Sequence, residues 1–339
     1  MDDSTRSASA DRVVDLLERD ARDEALERLE TVQSATAEDR KATVRSLRAV
    51  AEDRPVLVGE VCAALTSFLD DEERSIRLTA AKLFVAVAEA TPNAVVPAVP
   101  SLADRLGDEG EFYYVRARCA EALGYVALER PEEVSDPATL AELRVGLSFD
   151  EPEVREKLAK ALACVALGDP SRLRHQVASL ADHLDDGREL VRYHLCTALV
   201  VVGCEHPERL SESEAAFRAR LTDENESPYV RGRAAEALAL LVRDGTAVEP
   251  VSELDPGAFE DDEAPAFLTD RVRFLRRLQT GERTAGVPDG VGTVEAVRAE
   301  TASVAGDIAS PDGDGECPNC GLTLPAEGPP MCPRCGAPR

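Results

Sequence analysis

Asp223-Glu-Asn-Glu-Ser-Pro-Tyr-Val-Arg-Gly-Arg-Ala-Ala-Glu-Ala-Leu238 is the stretch that decides the fold. It opens on turn-forming polar residues, passes through a proline and runs into alanine and leucine. Counting from Val230, apolar or small side chains stand at offsets 5, 8, 11 and 12: Ala235, Leu238, Leu241 and Val242. Those offsets trace one stripe of a helix with 3.6 residues per turn.

The same stretch recurs upstream. Ile76-Arg77, Val115-Arg116, Val154-Arg155, Val191-Arg192 and Val230-Arg231 are spaced by 39, 39, 37 and 39 residues. A degenerate copy begins at Asp39-Arg40. At offset 8 stand Leu47, Phe84, Leu123, Leu162, Leu199 and Leu238, and at offset 5 a small or apolar residue in every copy. Sixteen residues after the anchor comes Pro55, Pro92, Pro131, Pro170 or Pro207. Proline cannot continue a helix but suits the first turn of the next. A second amphipathic helix is expected to end at Leu69, Leu106, Leu147, Leu184 and Leu221, each followed by an acidic turn. In the sixth copy Thr246 replaces the proline, which marks the end of the array. One such hairpin cannot bury its own apolar face, so neighbours must stack.

The pattern of an aspartate, then Val-Arg, then Ala-Ala-x-Ala-Leu resembles HEAT-like repeats of the armadillo type. The resemblance covers about residues 37–255. It implies an all-α fold, an α-solenoid of about six helical hairpins. It also implies that Arg77, Arg116, Arg155, Arg192 and Arg231 link adjacent repeats through Asp71, Asp108, Asp150, Asp186 and Asp223.

The flanks divide into a capping helix within 1–36, a second capping helix within 256–282, a flexible acidic linker over 283–316 and a small module at 317–339. A single amphipathic helix is expected over residues 10–34, with Val13, Leu16, Leu17, Ala21, Leu26 and Leu29 on its apolar side. Within 256–282, residues 264–279 read as a helix with Arg271, Arg273, Arg276 and Arg277 among apolar residues. Inside the linker, 293–305 has the composition of a short helix.

The last module holds Cys317-Pro-Asn-Cys320 and Cys332-Pro-Arg-Cys335. Two CxxC turns bring four thiolates around one metal, which predicts a tetrahedral structural zinc ribbon with no open coordination position. The remaining cysteines, Cys62, Cys119, Cys164, Cys196 and Cys204, lie in apolar helical patterns as free thiols of a reducing compartment.

The chain has 339 residues, a formal net charge of -26 and no tryptophan. Only Lys41, Lys82, Lys157 and Lys160 are lysines, against 35 arginines. This acid-rich, lysine-poor balance resembles proteins of halophilic archaeal type, in which molar salt screens the self-repulsion. The start has no apolar signal region, and no run is long enough to span a membrane, so a cytoplasmic location is expected.

No phosphate loop, dinucleotide fingerprint or nucleophile elbow is present. His194, Cys196, Cys204 and His206 could be drawn as a metal site, but Cys196 falls on the core stripe. The second helices carry Arg105, Arg144, His183 and Arg220 close to their ends, a row of cations that could bind an acidic peptide or a phosphate. The expected function is a non-enzymatic scaffold or adaptor for protein partners, with the solenoid as one contact surface and the tethered ribbon as another. The alternative is a nucleic-acid-associated factor of the transcription or translation machinery, using the ribbon or the Arg271–Arg277 helix. A third reading is an enzyme accessory subunit similar to the HEAT-like proteins related to bilin lyases.

Overall fold

The computed structural model describes residues 12–250, 263–281 and 291–309. Among these residues the regular structure is entirely helical. The chain divides into two units at Asp169/Pro170.

The first unit begins with a helix over 12–18 and α1 (Arg22–Gln33). The single helix expected over 10–34 is thus two. The break falls at Asp20, whose φ of 60° is a left-handed conformation that aspartate tolerates better than most residues. Ala25, Leu29 and Val32 then form the buried side of α1, while Leu26 is only half-buried. Four long helices follow: α2 (Ala37–Asp53), α3 (Arg74–Ala90), α4 (Tyr113–Glu129) and α5 (Pro152–Gly168).

The second unit contains α6 (Glu189–Glu205), α7 (Pro228–Asp244), α8 (Glu263–Gln279) and α9 (Val294–Ala309). Each of the six anchor helices, α2 to α7, is 17 residues long. Proline sets that length in five of them. The residue before it is driven out of the helical region, with φ/ψ of -138/66 at Arg54, -139/66 at Thr91 and -134/62 at Arg130. Where Thr246 takes the proline's place, Gly245 ends α7 instead, in a left-handed conformation with φ of 101°. Its amide donates to Val242, and the Thr246 amide donates to Leu241.

The anchor stripe is the core: Ile76, Ala81, Phe84 and Val87 are fully buried, as are Val115, Ala120, Leu123 and Val126. The second helices are not continuous. In the repeat after α3 the chain forms Pro92–Val95, a 3-10 turn over Val96–Ala98 and Val99–Gly107. Pro97 and Pro100 remove amide donors inside what would otherwise be one helix. The long helices therefore carry most of the packing. α4 and α5 approach so closely that a Cβ on Gly168 would stand 2.0 Å from the Ala127 carbonyl oxygen, and one on Gly124 would stand 2.7 Å from Ala161 Cα.

Residues 283–316, read as a flexible linker, include α9, which buries Val297, Thr301 and Val304 and packs on α6. Its stripe of valine and threonine is thin, but the helix is held because α6 and α7 supply an apolar and charged bed for it. Residues 317–339, and with them Cys317, Cys320, Cys332 and Cys335, lie outside the described residues.

Candidate recognition surface

The repeat arginines act first on their own turns. Arg77 Nη1 donates to the Asp71 carbonyl at 2.7 Å, Arg155 Nη1 to the Phe149 carbonyl at 2.7 Å and Arg192 Nη1 to the Asp186 carbonyl at 2.6 Å. These contacts tie down the acidic turn and orient the helix that follows.

The second contact of the arginine crosses to the next repeat, and its partner depends on turn length. Arg40 binds Asp71 through Nε at 2.6 Å and Nη2 at 3.1 Å. Arg77 makes the same two-pronged contact with Glu111, not Asp108, at 2.5 and 2.9 Å. Arg192 meets Glu226, not Asp223, at 2.7 Å through both nitrogens. Asp108 stands seven residues before its anchor and Asp71 only five, so the longer turn carries the aspartate out of reach. The glutamate three residues later takes over. Asp108 and Asp223 instead accept from the amides of Gly110 and Asn225, closing their turns. The arginines that follow these long turns reach further back: Arg116 Nε donates to the Leu106 carbonyl and Arg231 Nε to that of Leu221. Arg116 also reaches Glu142, on the second helix of its own repeat, at 3.1 Å.

Two of the expected row of cations, Arg105 and Arg220, pair with these same turns. Arg105 lies within 3.3 Å of Asp108 and 3.9 Å of Glu111, and Arg220 within 3.3 Å of Glu226. Both are half-buried, as are Arg144 and His183. Glu111 and Glu226 are thus each shared between two arginines. Arg271 of the expected basic helix is buried and bonded to Glu236 and Glu300, which removes it from any phosphate-facing surface. His194 and Cys196 are buried, and no group of three His, Cys, Asp or Glu among the described residues is arranged to hold a metal.

A different cluster stands out on the long helices. Offsets 3 and 6 from each anchor lie on one face of the helix, and in α4 and α5 all four positions are charged: Arg118, Glu121, Lys157 and Lys160. Glu121 Oε1 accepts from Lys157 Nζ at 3.1 Å and Lys160 Nζ at 3.2 Å, while Oε2 accepts from Arg118 at 2.7 Å. Lys160 also donates to the Tyr125 hydroxyl at 2.6 Å and sits 4.6 Å from that ring's centre. The hydroxyl in turn donates to Glu89 of α3 at 2.7 Å. Burial opposes ionisation of Glu121, but Lys157, Lys160 and Arg118 outweigh it and hold its carboxyl well below the usual range. Burial lowers the Lys157 ammonium against the attraction of Glu121.

The second unit has the counterpart. Positions 105–129 and 220–244 share 13 of 25 residues, among them Arg118/Arg233 and Glu121/Glu236. Glu236 is fully buried and meets Arg233 at 2.7 Å, Arg271 at 3.2 Å and the Gly292 amide at 2.7 Å. Arg271 stacks on Phe267, its guanidinium carbon 3.4 Å from the ring centre. Gly232 leaves room for that ring, because a Cβ there would stand 2.6 Å from it.

These clusters carry a sequence signal that the apolar stripe obscures. Three of the four lysines, Lys82, Lys157 and Lys160, occupy offset 3 or 6 of their repeats.

A family model described as HEAT repeats matches residues 99–199. Among solved structures, an engineered protein aligns with a TM-score of 0.59 at 15% identity, covering 90% of this chain and 89% of its own. A designed armadillo repeat protein aligns at 0.55 and 20% identity, covering 64% of this chain and 99% of its own. Another, solved in complex with the peptide (KR)4, gives 0.55 and 20% identity over 64% of this chain and 98% of its own. These likenesses are of fold: an armadillo- and HEAT-type helical repeat. A search of curated proteins finds no match to the chain.

Proposed function

We propose that the protein is a non-enzymatic scaffold whose stacked long helices hold protein partners, with a zinc ribbon at Cys317, Cys320, Cys332 and Cys335 as a separate contact module. The observation that carries this reading is the charged face at offsets 3 and 6 of α4 and α5. Lys157 and Lys160 keep 29% and 30% of their side chains exposed around the nearly buried Glu121, on helices whose other faces are consumed by packing. A repeat fold supports the reading because equivalent positions recur at a fixed spacing, which suits recognition of an extended or helical partner. The designed neighbour bound to (KR)4 shows such a fold holding a peptide in that protein.

Four thiolates with this spacing fit one zinc ion without residual coordination. The ribbon then serves structure or docking rather than hydrolysis.

The test is cross-linking and capture from native cytoplasm at native salt, comparing the full chain with its C317S/C320S variant. Proteins recovered by both place the recognition on the repeats. Recovery that depends on the ribbon, or that nuclease abolishes, transfers the function to the ribbon or to nucleic acid.

A further inference from the structure

In the second unit, a helix of the chain itself lies on the charged face. α9 packs along α6, buries Val297, Thr301 and Val304, and directs Glu300 onto Arg233 at 2.9 Å and onto Arg271. With Glu236 beneath them, two guanidinium groups meet two carboxylates. Both arginines are sealed, with side chains 0% and 4% exposed.

The first unit holds the same nest without a covering carboxylate. Arg118, Lys157 and Lys160 surround Glu121 alone, and Glu89 joins only through the Tyr125 hydroxyl. These three cations remain 25%, 29% and 30% exposed. The local excess of positive charge stands out on a chain of net charge -26. A carboxylate approaching the protein is repelled over most of the surface and attracted here, which gives the site selectivity as well as affinity.

Resting on the scaffold reading above, we propose that the face formed by α4 and α5 docks an acidic helix of a partner protein. That helix sets a carboxylate among Arg118, Lys157 and Lys160, as α9 sets Glu300 between Arg233 and Arg271. α9 serves as an internal template for the ligand: a helix with small or β-branched side chains on either side of one glutamate.

The probe is a labelled synthetic peptide of residues 291–309, titrated by fluorescence anisotropy into the full chain. Saturable binding is expected. It should weaken by about tenfold or more when the protein carries K157Q/K160Q, and likewise when the peptide carries E300Q, the loss expected for one charge-assisted hydrogen bond. Absence of saturable binding overturns the proposal, as does equal affinity for the K157Q/K160Q protein, which would mean that the peptide exchanges with α9 in the second unit. Should that double variant lose its helical circular dichroism, the E300Q peptide on the unaltered protein decides, and equal affinity overturns the proposal. Concentration-dependent dimerisation removed by K157Q/K160Q would name a second copy as the occupant and overturn the partner assignment. Captured proteins that persist with K157Q/K160Q, together with no peptide binding, leave the scaffold standing and remove this site.

Discussion

Lys157 Nζ meets Glu121 Oε1 at 3.1 Å, joining α5 to α4 across 36 residues of chain. The contact belongs to a group of three cations around one buried carboxylate, so the pair is held by a network rather than by a lone surface bridge. Glu121 is the member on which the others depend.

Replacing Glu121 with Gln should therefore destabilise the first unit. Three like charges would then face one another across α4 and α5, at a cost of about 2–3 kcal/mol, toward the lower end for a broken buried pair because the cations retain solvent. The pH dependence follows from the depressed carboxyl value. The stabilisation is present above the unfolded glutamate value of about 4.3 and is lost as pH falls toward the lower folded value. Urea denaturation should show a gap between the wild-type protein and E121Q at pH 7 that narrows below about pH 4.

Arg192 combines a two-pronged contact to Glu226 with a brace on its own turn. Arg192→Ala should cost about 1.5–3 kcal/mol, the range for hydrogen bonds to charged groups. Arg192→Lys should recover only part, because an ammonium cannot reproduce the planar fork. Full recovery in thermal unfolding would show that charge alone, and not geometry, links these repeats.

Gly168 and Gly187 make a paired test of packing. A Cβ at Gly168 meets the Ala127 carbonyl oxygen at 2.0 Å, whereas one at Gly187 meets nothing within 4 Å. Gly168→Ala should destabilise by about 1–3 kcal/mol through overpacking of α4 against α5. Gly187→Ala should be neutral or stabilising by up to about 1 kcal/mol, through reduced freedom of the unfolded chain. Chemical denaturation of both variants measures the contrast.

The cysteines should separate into two classes on alkylation. Burial pushes the Cys62 and Cys196 thiols up to about 12 and raises Cys119 further. These three should resist iodoacetamide at pH 8 until the protein unfolds, since the thiolate is the reactive form. On the proposed zinc-ribbon reading, Cys317, Cys320, Cys332 and Cys335 should become reactive when a chelator is added, and C317S/C320S should bind no zinc while keeping the helical signal. Mass spectrometry and metal analysis read both results.

Much of the repeat was legible in residue types alone. Pro92 and Pro131 mark where α3 and α4 stop, because Thr91 and Arg130 before them are driven out of the helical region. Ile76, Ala81, Phe84 and Val87 announce their burial through helical period. The internal prolines Pro97 and Pro100 were equally visible, and they account for the broken second segment that a simple hairpin pattern overlooks. Arg105 and Arg220 read as a cationic row because sequence spacing records their register on a helix but not the carboxylates folded back over them.

The sequence by itself determined where the long helices of the repeats end and which of their faces turn inward. Those properties follow from backbone restriction and from a 3.6-residue period within one segment. Only the tertiary structure decided that Arg77 takes Glu111 rather than Asp108, and that Glu300 of α9 covers Arg233 and Arg271. Ion pairs form between groups 29 to 67 residues apart, as Arg271 and Arg233 are from Glu300. Turn length is written in the chain, but which carboxylate it delivers to which arginine depends on the helices that come to lie side by side, and that is not encoded in any local window.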